Sequence, residues 1–501
     1  MSDGNGHSSE FAARVDIAIV GSGFAGLGMA IHLERAGIDD YVILERATDL
    51  GGTWRDNSYP GCACDVESHL YSFSFALNPD WTRRFAPQPE IQAYLKSCAE
   101  RFGIIPHIRF AHEVLDATWD EDAHEWHIET TRGPMRASIL VLGNGPLSDP
   151  VIPDLPGLAS FEGDVFHSAA WRHDIDLTGR DVAVIGTGAS AIQFVPRIQP
   201  NVRQLHLFQR TPPWVVPRHD KPISSRMRRL YRAVPPLQRL ARAGIYLRRE
   251  LFLLLFRHPR WMRRGEAVAR RGLAKWIRDP VRRRQLTPDY TMGCKRVLLS
   301  DDYLPALAQP NVDIVTSPLR DVRAHGVVDS DGVEHRADVI IFGTGFRPTD
   351  PPLAPCIRGR DGTTLADVWQ GSPKAYLGTA VAGFPNLFIL LGPNTGLGHT
   401  SVVFMIEAQL AQVMLVLREM KRRGAQAIEP SVEAQAGFVA DVTRRMRNTV
   451  WVVGHCMSWY LDRTGRNSSL WPDFTWRFRR RLSRLVRRDW VSNSTSVADA
   501  R

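Results

Sequence analysis

The chain has 501 residues, 44% of them hydrophobic and 23% charged, and a net charge of +10. That is enough for two or three domains with a full apolar core, which excludes a disordered or fibrous chain. No apolar run reaches the ~18–20 residues of a membrane span, and the polar opening MSDGNGHSSEFAAR lacks the apolar core of a signal peptide.

After a leader expected to be loose, 15–20 reads as a buried apolar strand, 24–36 as a helix stopping at Gly37, and 41–44 as the next strand. This is a βαβ unit with a right-handed crossover. Its turn is Gly21-Ser-Gly23-Phe-Ala-Gly26. Gly21 permits the tight turn, Gly23 lets the backbone approach a pyrophosphate, and Gly26 lets the helix pack close to the strand. Glu45, at the end of the second strand, stands where a ribose 2′-hydroxyl is bound, which suits a dinucleotide without a 2′-phosphate. A helix is expected at 89–102, a strand pair at 114–119 and 126–131, and a strand at 138–142. The Pro/Gly-rich stretch 143–157 reads as an interdomain link.

A second βαβ unit starts at 181–185 and continues through a helix at 190–198 to a strand at 204–209. Its turn, Gly186-Thr-Gly188-Ala-Ser-Ala191, is the GxGxxA variant, and its second strand ends in Gln209-Arg210-Thr211. A base in place of the acid favours a 2′-phosphate on Arg210 and Thr211, hence NADP(H). Residues 221–285 then hold 20 Lys/Arg against 3 Asp/Glu, so the remainder of the chain is net acidic. The solvated face of inserted helices accounts for this excess. Contact with an anionic membrane surface is the alternative, because LFLLLF (Leu251 to Phe256) sits among the arginines. No recognised nucleic-acid module accompanies the charge. Strands return at 312–315 and 339–342, a second link spans 343–352, and apolar structure resumes at 387–391 and in a long helix at 401–423. The late aromatics Trp459, Tyr460, Trp471 and Trp476 read as core, and the tail after Asp489 as loose. The six cysteines have irregular spacing, so reduced cytosolic thiols are expected. Cys62 and Cys64 have no second ligand pair nearby, so no metal site is expected.

Three further segments carry a family resemblance. Phe161, Gly163, His167 and Trp171 match the pattern FxGxxxHxxxW, with Arg172 where Pro or Asp is usual. Gly51, Gly52, Trp54, Tyr59, Pro60, Gly61 and Asp65 fit [AG]GxWxxxx[FY]P[GM]xxxD at every specified position. GCKRVLLSDDY (Gly293 to Tyr303) supplies Lys295 and Arg296. Together with the two glycine turns, this resembles the type I Baeyer–Villiger monooxygenases of the flavin-containing monooxygenase superfamily. The resemblance covers roughly 16–480 and is weakest over the insertion.

The resemblance implies an α/β fold of two dinucleotide-binding (Rossmann-like) domains, of the three-layer ββα/βαβ type, with a helical insertion in the second. The expected division is an FAD-binding domain at 1–150, an NADP-binding domain at 151–345 with the insertion at about 221–285, a return to the FAD-binding domain at 346–490, and a flexible tail at 491–501. It implies FAD and NADPH as cofactors, with a ketone and O₂ as substrates and a C4a-peroxyflavin as the oxidant that leads to an ester or lactone. By it, Arg296 stabilises negative oxygen, Asp65 sets Arg296, Trp54 and Asp65 lie on the flavin side, Lys295 helps hold the NADP phosphate, and His167 organises the domain link without transferring protons. The segments at 343–346 and 392–401 resemble the interdomain return and a flavin-side turn. An N- or S-oxygenating monooxygenase is the alternative, against which Trp171, Asp65 and Arg296 argue. A flavin disulfide reductase is disfavoured because no Cys-x₄-Cys follows the first unit. A cytoplasmic enzyme is expected, while the identity of the ketone and the oligomeric state stay open.

Overall fold

The computed structural model describes residues 13–494 except 455 and 457. The expected leader and the end of the tail lie outside these residues. Strands β1 (Ala13–Val20) and β2 (Tyr41–Glu45) flank helix α1 (Phe24–Arg35). The short helix α2 (Thr53–Asp56) and then α3 (Gln88–Arg101) precede β3 (Ile108–Phe110), β4 (Val114–Asp120), β5 (Glu125–Thr130) and β6 (Gly133–Leu142). β1 runs parallel to both β2 and β6, with Ile19 opposite Ile43 and Val141. All three strands are apolar and largely buried, as a sheet covered on both faces requires.

The second sheet is built from β7 (Asp164–His167), β8 (Asp181–Ile185), α4 (Ala191–Ile198) and β9 (Gln204–Phe208). After the short strand β10 (Val215–Val216), the insertion forms four helices: α5 (Ser225–Ala233), α6 (Pro235–Arg257), α7 (Pro259–Trp276) and α8 (Pro280–Gln285). The chain returns through β11 (Leu298–Leu299), paired with β10, then α9 (Tyr303–Leu307) and β12 (Val312–Val315). A meander of β13 (Leu319–Arg323), β14 (Gly326–Asp329) and β15 (Glu334–Arg336) precedes β16 (Val339–Phe342). The sequence reading left that meander undivided, because its strands are short and half polar. The parallel five-stranded sheet has the order β12-β9-β8-β16-β7.

The chain then goes back to the first sheet. β17 (Ile357–Arg358) adds to β4, and β18 (Leu387–Ile389), which follows α10 (Leu365–Trp369), adds to β6. The first sheet is thus built from two separated stretches of chain, and its eight strands include both late arrivals. Helix α11 (Val402–Arg423) packs on α1 and is capped by the Ser401 hydroxyl. β19 (Ala425–Pro430) and the helices α12 (Val432–Met446), α13 (Val450–Val453) and α14 (Thr475–Leu482) follow. The expectation of a loose tail from 491 is corrected for residues 491–494: β20 (Trp490–Ser494) pairs antiparallel with β19, and the buried Trp490 anchors it.

Candidate active site

Both nucleotide turns end strands at the same edge of their sheets, where an open α/β sheet binds ligands. At the first, Gly21 has φ +92°, and a Cβ on Gly26 would stand 1.9 Å from the Gly21 carbonyl oxygen. Gly23 caps α1 without a side-chain bond, and the first turn of α1 has no acid. Its free N–H groups therefore suit a pyrophosphate. Glu45 is buried beside this turn. It accepts from the Ser22 hydroxyl at 2.6 Å and the Ser22 N–H at 3.0 Å, and pairs with Arg55 at 2.8 Å. Burial works against its charge, but Ser22, the Ala47 N–H and Arg55 together hold the carboxyl below its ordinary value. The residues fit a dinucleotide whose ribose is held by an ionised acid.

The second turn is similar. Gly186 has φ +109°, and a Cβ there would meet the Gly343 carbonyl oxygen at 2.6 Å, so the turn packs directly on the 343–346 segment. α4 likewise has no side-chain cap and no acid in its first turn. Gly186, Gly188, Arg210, Thr211 and Lys295 line one cavity of about 970 Å³. Burial and the nearby Arg210 lower the Lys295 ammonium from its ordinary value. Among the described residues neither Arg210 nor Lys295 forms an ion pair. Asp289 acts on Lys295 in the opposite sense, but the two cations stand together with neither held in an ion pair, which fits a phosphate.

Trp54, Asp65, Tyr71 and Arg296 line the same cavity. Arg296 donates from Nε at 2.8 Å and from Nη2 at 2.5 Å to the single oxygen Oδ2 of Asp65, and among the described residues Nη1 meets the Leu397 carbonyl at 3.5 Å, with Tyr460 close by. About 30% of each side chain is exposed, toward the cavity. Burial opposes the charge on Asp65, but Arg296, with Arg249 and Arg218 behind it, holds the carboxyl below the usual carboxylate range. Asp65 in turn raises Arg296 above its ordinary value. The Trp54 indole N–H donates to the Tyr71 hydroxyl at 3.1 Å.

Phe161, Gly163, His167 and Trp171 do not line the cavity. Their contacts lie within the second sheet and the segment that follows it. A Cβ on Gly163 would stand 2.2 Å from the Asp338 carbonyl oxygen. His167 ends β7 opposite Phe342 of β16, and its ring meets Phe346 edge-on. Its Nδ1 accepts from the Ala169 N–H at 3.0 Å, and burial pushes the imidazole down to about 4, so it is neutral. Trp171 packs on Phe166 and Phe194. Arg172 is exposed and paired with Asp174 at 2.5 Å, so its departure from the pattern disturbs none of these contacts.

Several residues that the sequence reading missed hold these parts together. Gln193 of α4 accepts from the Tyr59 hydroxyl and the Ala63 N–H and donates to the Ala63 carbonyl, which docks the 59–63 loop on the second sheet. Arg249 of the insertion donates to the Asp65 carbonyl at 3.1 Å, and Arg218 to the Cys64 carbonyl at 2.7 Å. The expectation of six reduced thiols is corrected: Cys294 and Cys456 form a disulfide across 162 residues, tying the Lys295-Arg296 segment to the C-terminal region. No spacing rule reveals a pair so distant in sequence. Cys62 and Cys64 remain free and buried, and burial pushes the Cys62 thiol up to about 12. Tyr460 and Trp471 are core as read, but Trp459 is exposed and lines the cavity, and Trp476 is also exposed.

The pyridine nucleotide-disulphide oxidoreductase family matches residues 18–228. A Baeyer–Villiger monooxygenase of Streptomyces coelicolor is 52% identical over 94% of this chain and 91% of its own length. The chain belongs to the Baeyer–Villiger monooxygenases. A second such enzyme, from Pseudomonas aeruginosa, is 51% identical over 93% of this chain and 89% of its own. Cyclohexanone monooxygenase from Rhodococcus sp. Phi1, solved with NADP⁺, superposes with a TM-score of 0.87 at 31% identity, over 96% of this chain and 100% of that one. This Baeyer–Villiger monooxygenase therefore has the two-Rossmann-domain fold and is an NADPH-dependent flavin enzyme. N- or S-oxygenation as the primary activity finds no support.

Proposed function

We propose that this enzyme oxidises a ketone to an ester or lactone at Arg296, with Asp65 as the residue that positions it. The observation that carries this reading is the Asp65–Arg296 pair, which faces a cavity shared with Arg210 and Lys295, neither of them in an ion pair among the described residues. FAD, when bound, supplies the hydride acceptor and the centre that activates O₂, and NADPH supplies the hydride. Gly21, Gly23, Gly26 and Glu45 would hold the FAD pyrophosphate and ribose, and Trp54 and Asp65 would lie on its flavin side. Gly186 and Gly188 would hold the NADP pyrophosphate, and Arg210, Thr211 and Lys295 its 2′-phosphate.

Arg296 keeps its proton at any working pH. Its Nη1, left free by Asp65, provides a fixed positive charge where the ketone oxygen turns negative as the carbonyl carbon becomes tetrahedral. In a water-poor cavity such a charge needs no reorganisation to act. Asp65 holds the guanidinium plane and keeps the pair ionised. His167 is neutral and outside the cavity, so its part is to hold the junction through Ala169 and Phe346. We further assign residues 1–150 and 346–490 to the FAD-binding domain and 151–345 to the NADP-binding domain, place the enzyme in the cytoplasm where NADPH is supplied, and take an anionic membrane surface as the partner of the insertion. The test is product analysis with NADPH and O₂ across linear, cyclic and aryl ketones. Failure to form an ester from any of them, with flavin bound, would overturn the reading.

A further inference from the structure

Helix α6 has two apolar faces. Leu253 and Phe256, with Gln238 and Glu250, are buried against the body of the protein. On the opposite side Leu240, Leu247 and Leu251 are 69%, 62% and 62% exposed. At 3.6 residues per turn these three fall on one line along the helix. The neighbouring helices repeat the arrangement. α7 turns Met262, Ala269 and Leu273 inward and leaves Trp261, Val268 and Trp276 exposed, and α5 exposes Met227 and Leu230. Arg226, Arg229, Arg239, Arg263, Arg264 and Arg271 stand exposed among them, and among the described residues none of the six forms an ion pair.

The chemistry of this face selects its partner. A nucleic acid would satisfy the arginines but leave the leucines and tryptophans in water. A second copy would bring one insertion of 20 Lys/Arg and 3 Asp/Glu against another, at a large repulsive cost. An anionic bilayer satisfies both sets, with the apolar stripe at the acyl boundary and the guanidiniums at the phosphates. No helix among the described residues is long and apolar enough to cross a membrane, so the contact lies in the interface plane.

The same helix reaches the site. From its inner side Arg249 holds the Asp65 carbonyl and, with Arg248, the carboxylate of Glu67. Near its C-terminal end Phe256 stacks on Trp451 of α13 at 5.2 Å. Val452 and Val453 of α13 are exposed, and Trp459, 47% exposed, lines the cavity. The inner face of α6 thus packs on the Asp65 loop and on α13, and Trp459 puts an exposed aromatic ring at the cavity.

We propose that α5, α6 and α7 seat the enzyme on an anionic lipid surface, and that the cavity takes a lipophilic ketone from that surface. The second half rests on the ketone-oxidising function. The test uses the FAD-loaded full chain and vesicles of phosphatidylcholine, with or without phosphatidylglycerol. Wild type should co-sediment with the anionic vesicles, and binding should weaken as salt rises. Leu247→Glu/Leu251→Glu should weaken that binding at least about tenfold while still turning over a short, water-soluble ketone. Arg263→Glu/Arg264→Glu on α7 is the second variant should the first fail to fold. Equal binding to neutral vesicles, no binding at low salt, or unchanged binding by the soundly folded variants would overturn the lipid face. Anionic vesicles should also raise kcat/KM for a long-chain methyl ketone in wild type and not in the variants. No such rise would overturn lipid delivery. If no ketone yields ester at all, the oxidation chemistry has failed, and co-sedimentation still decides the lipid face by itself.

Discussion

At the residue scale, the proposed oxidation turns on Arg296 and the proposed cofactor preference on Arg210. Arg296→Ala should retain FAD, because the first glycine turn and Glu45 are remote from the change. It should still consume NADPH but lose about 10²–10³ in ester formation, the usual cost of one preorganised electrostatic donor. Arg296→Lys should recover little, since an ammonium cannot bond Asp65 through two nitrogens and keep a third free. Ester formed per NADPH oxidised is the readout, and near wild-type coupling in Arg296→Ala would remove this residue from the mechanism. Arg210→Ala should lower kcat/KM for NADPH about 10–100-fold and leave NADH nearly unchanged, because a charge-assisted phosphate contact is lost and nothing else. Equal use of both cofactors by the wild type would refute the 2′-phosphate site. Both side chains were singled out in the sequence by motif position, and the structure brings both to one cavity. That the Asp65 backbone is held from the insertion by Arg249 was not legible, because the two residues are 184 positions apart in the chain.

At the element scale, the edge of the second sheet depends on close backbone approach. Gly163→Ala should destabilise by roughly 1–3 kcal/mol, because its Cβ would meet the backbone oxygen of Asp338, which has no free rotor to yield. Gly244→Ala, in mid-α6 with nothing within 4 Å of its Cβ, should instead stabilise by about 0.5–1 kcal/mol. Thermal unfolding of the pair checks this, and an equal shift in both would mean that contact at 163 is irrelevant. The Cys294–Cys456 bridge closes a long loop and anchors the segment that carries Lys295 and Arg296. Cys456→Ser should cost about 2–4 kcal/mol of stability and raise the KM for NADPH. An unaltered Tm and KM in the variant would show the bridge to be absent in solution. Strands and helices with clear periodicity, such as β1, α1, β8 and α11, were readable within a residue or two. The meander β13–β15 and the terminal pair β19–β20 were not, because short strands of mixed polarity gain their stability from partners far away in sequence.

At the scale of the whole molecule, acid should loosen the fold through its buried histidines. His167 and His69 are both pushed down to about 4, chiefly by burial. Unfolded, each titrates near 6.5, so between these values the unfolded chain binds more protons than the folded one. Stability is therefore full above about pH 6.5 and falls as the pH drops toward 4, by up to roughly 3 kcal/mol for each histidine. The urea midpoint should fall from about pH 7 to about pH 5, and His167→Gln/His69→Gln should flatten that slope. An unchanged slope would assign the acid sensitivity to other groups. The sequence by itself determined the two nucleotide turns, the α/β class and the ketone-oxidising family, and it singled out the acid and the base that the structure pairs. Each of these is written in residue type at fixed local spacing, and backbone geometry turns such spacing directly into form. Only the tertiary structure decided that the late strands β17 and β18 complete the first sheet, that Gln193 joins the two halves, that two cysteines are bonded, and that the insertion has one face on Asp65 and another toward solvent. These are contacts between segments far apart in the chain, and local sequence carries no record of which distant surface will bury a given side chain.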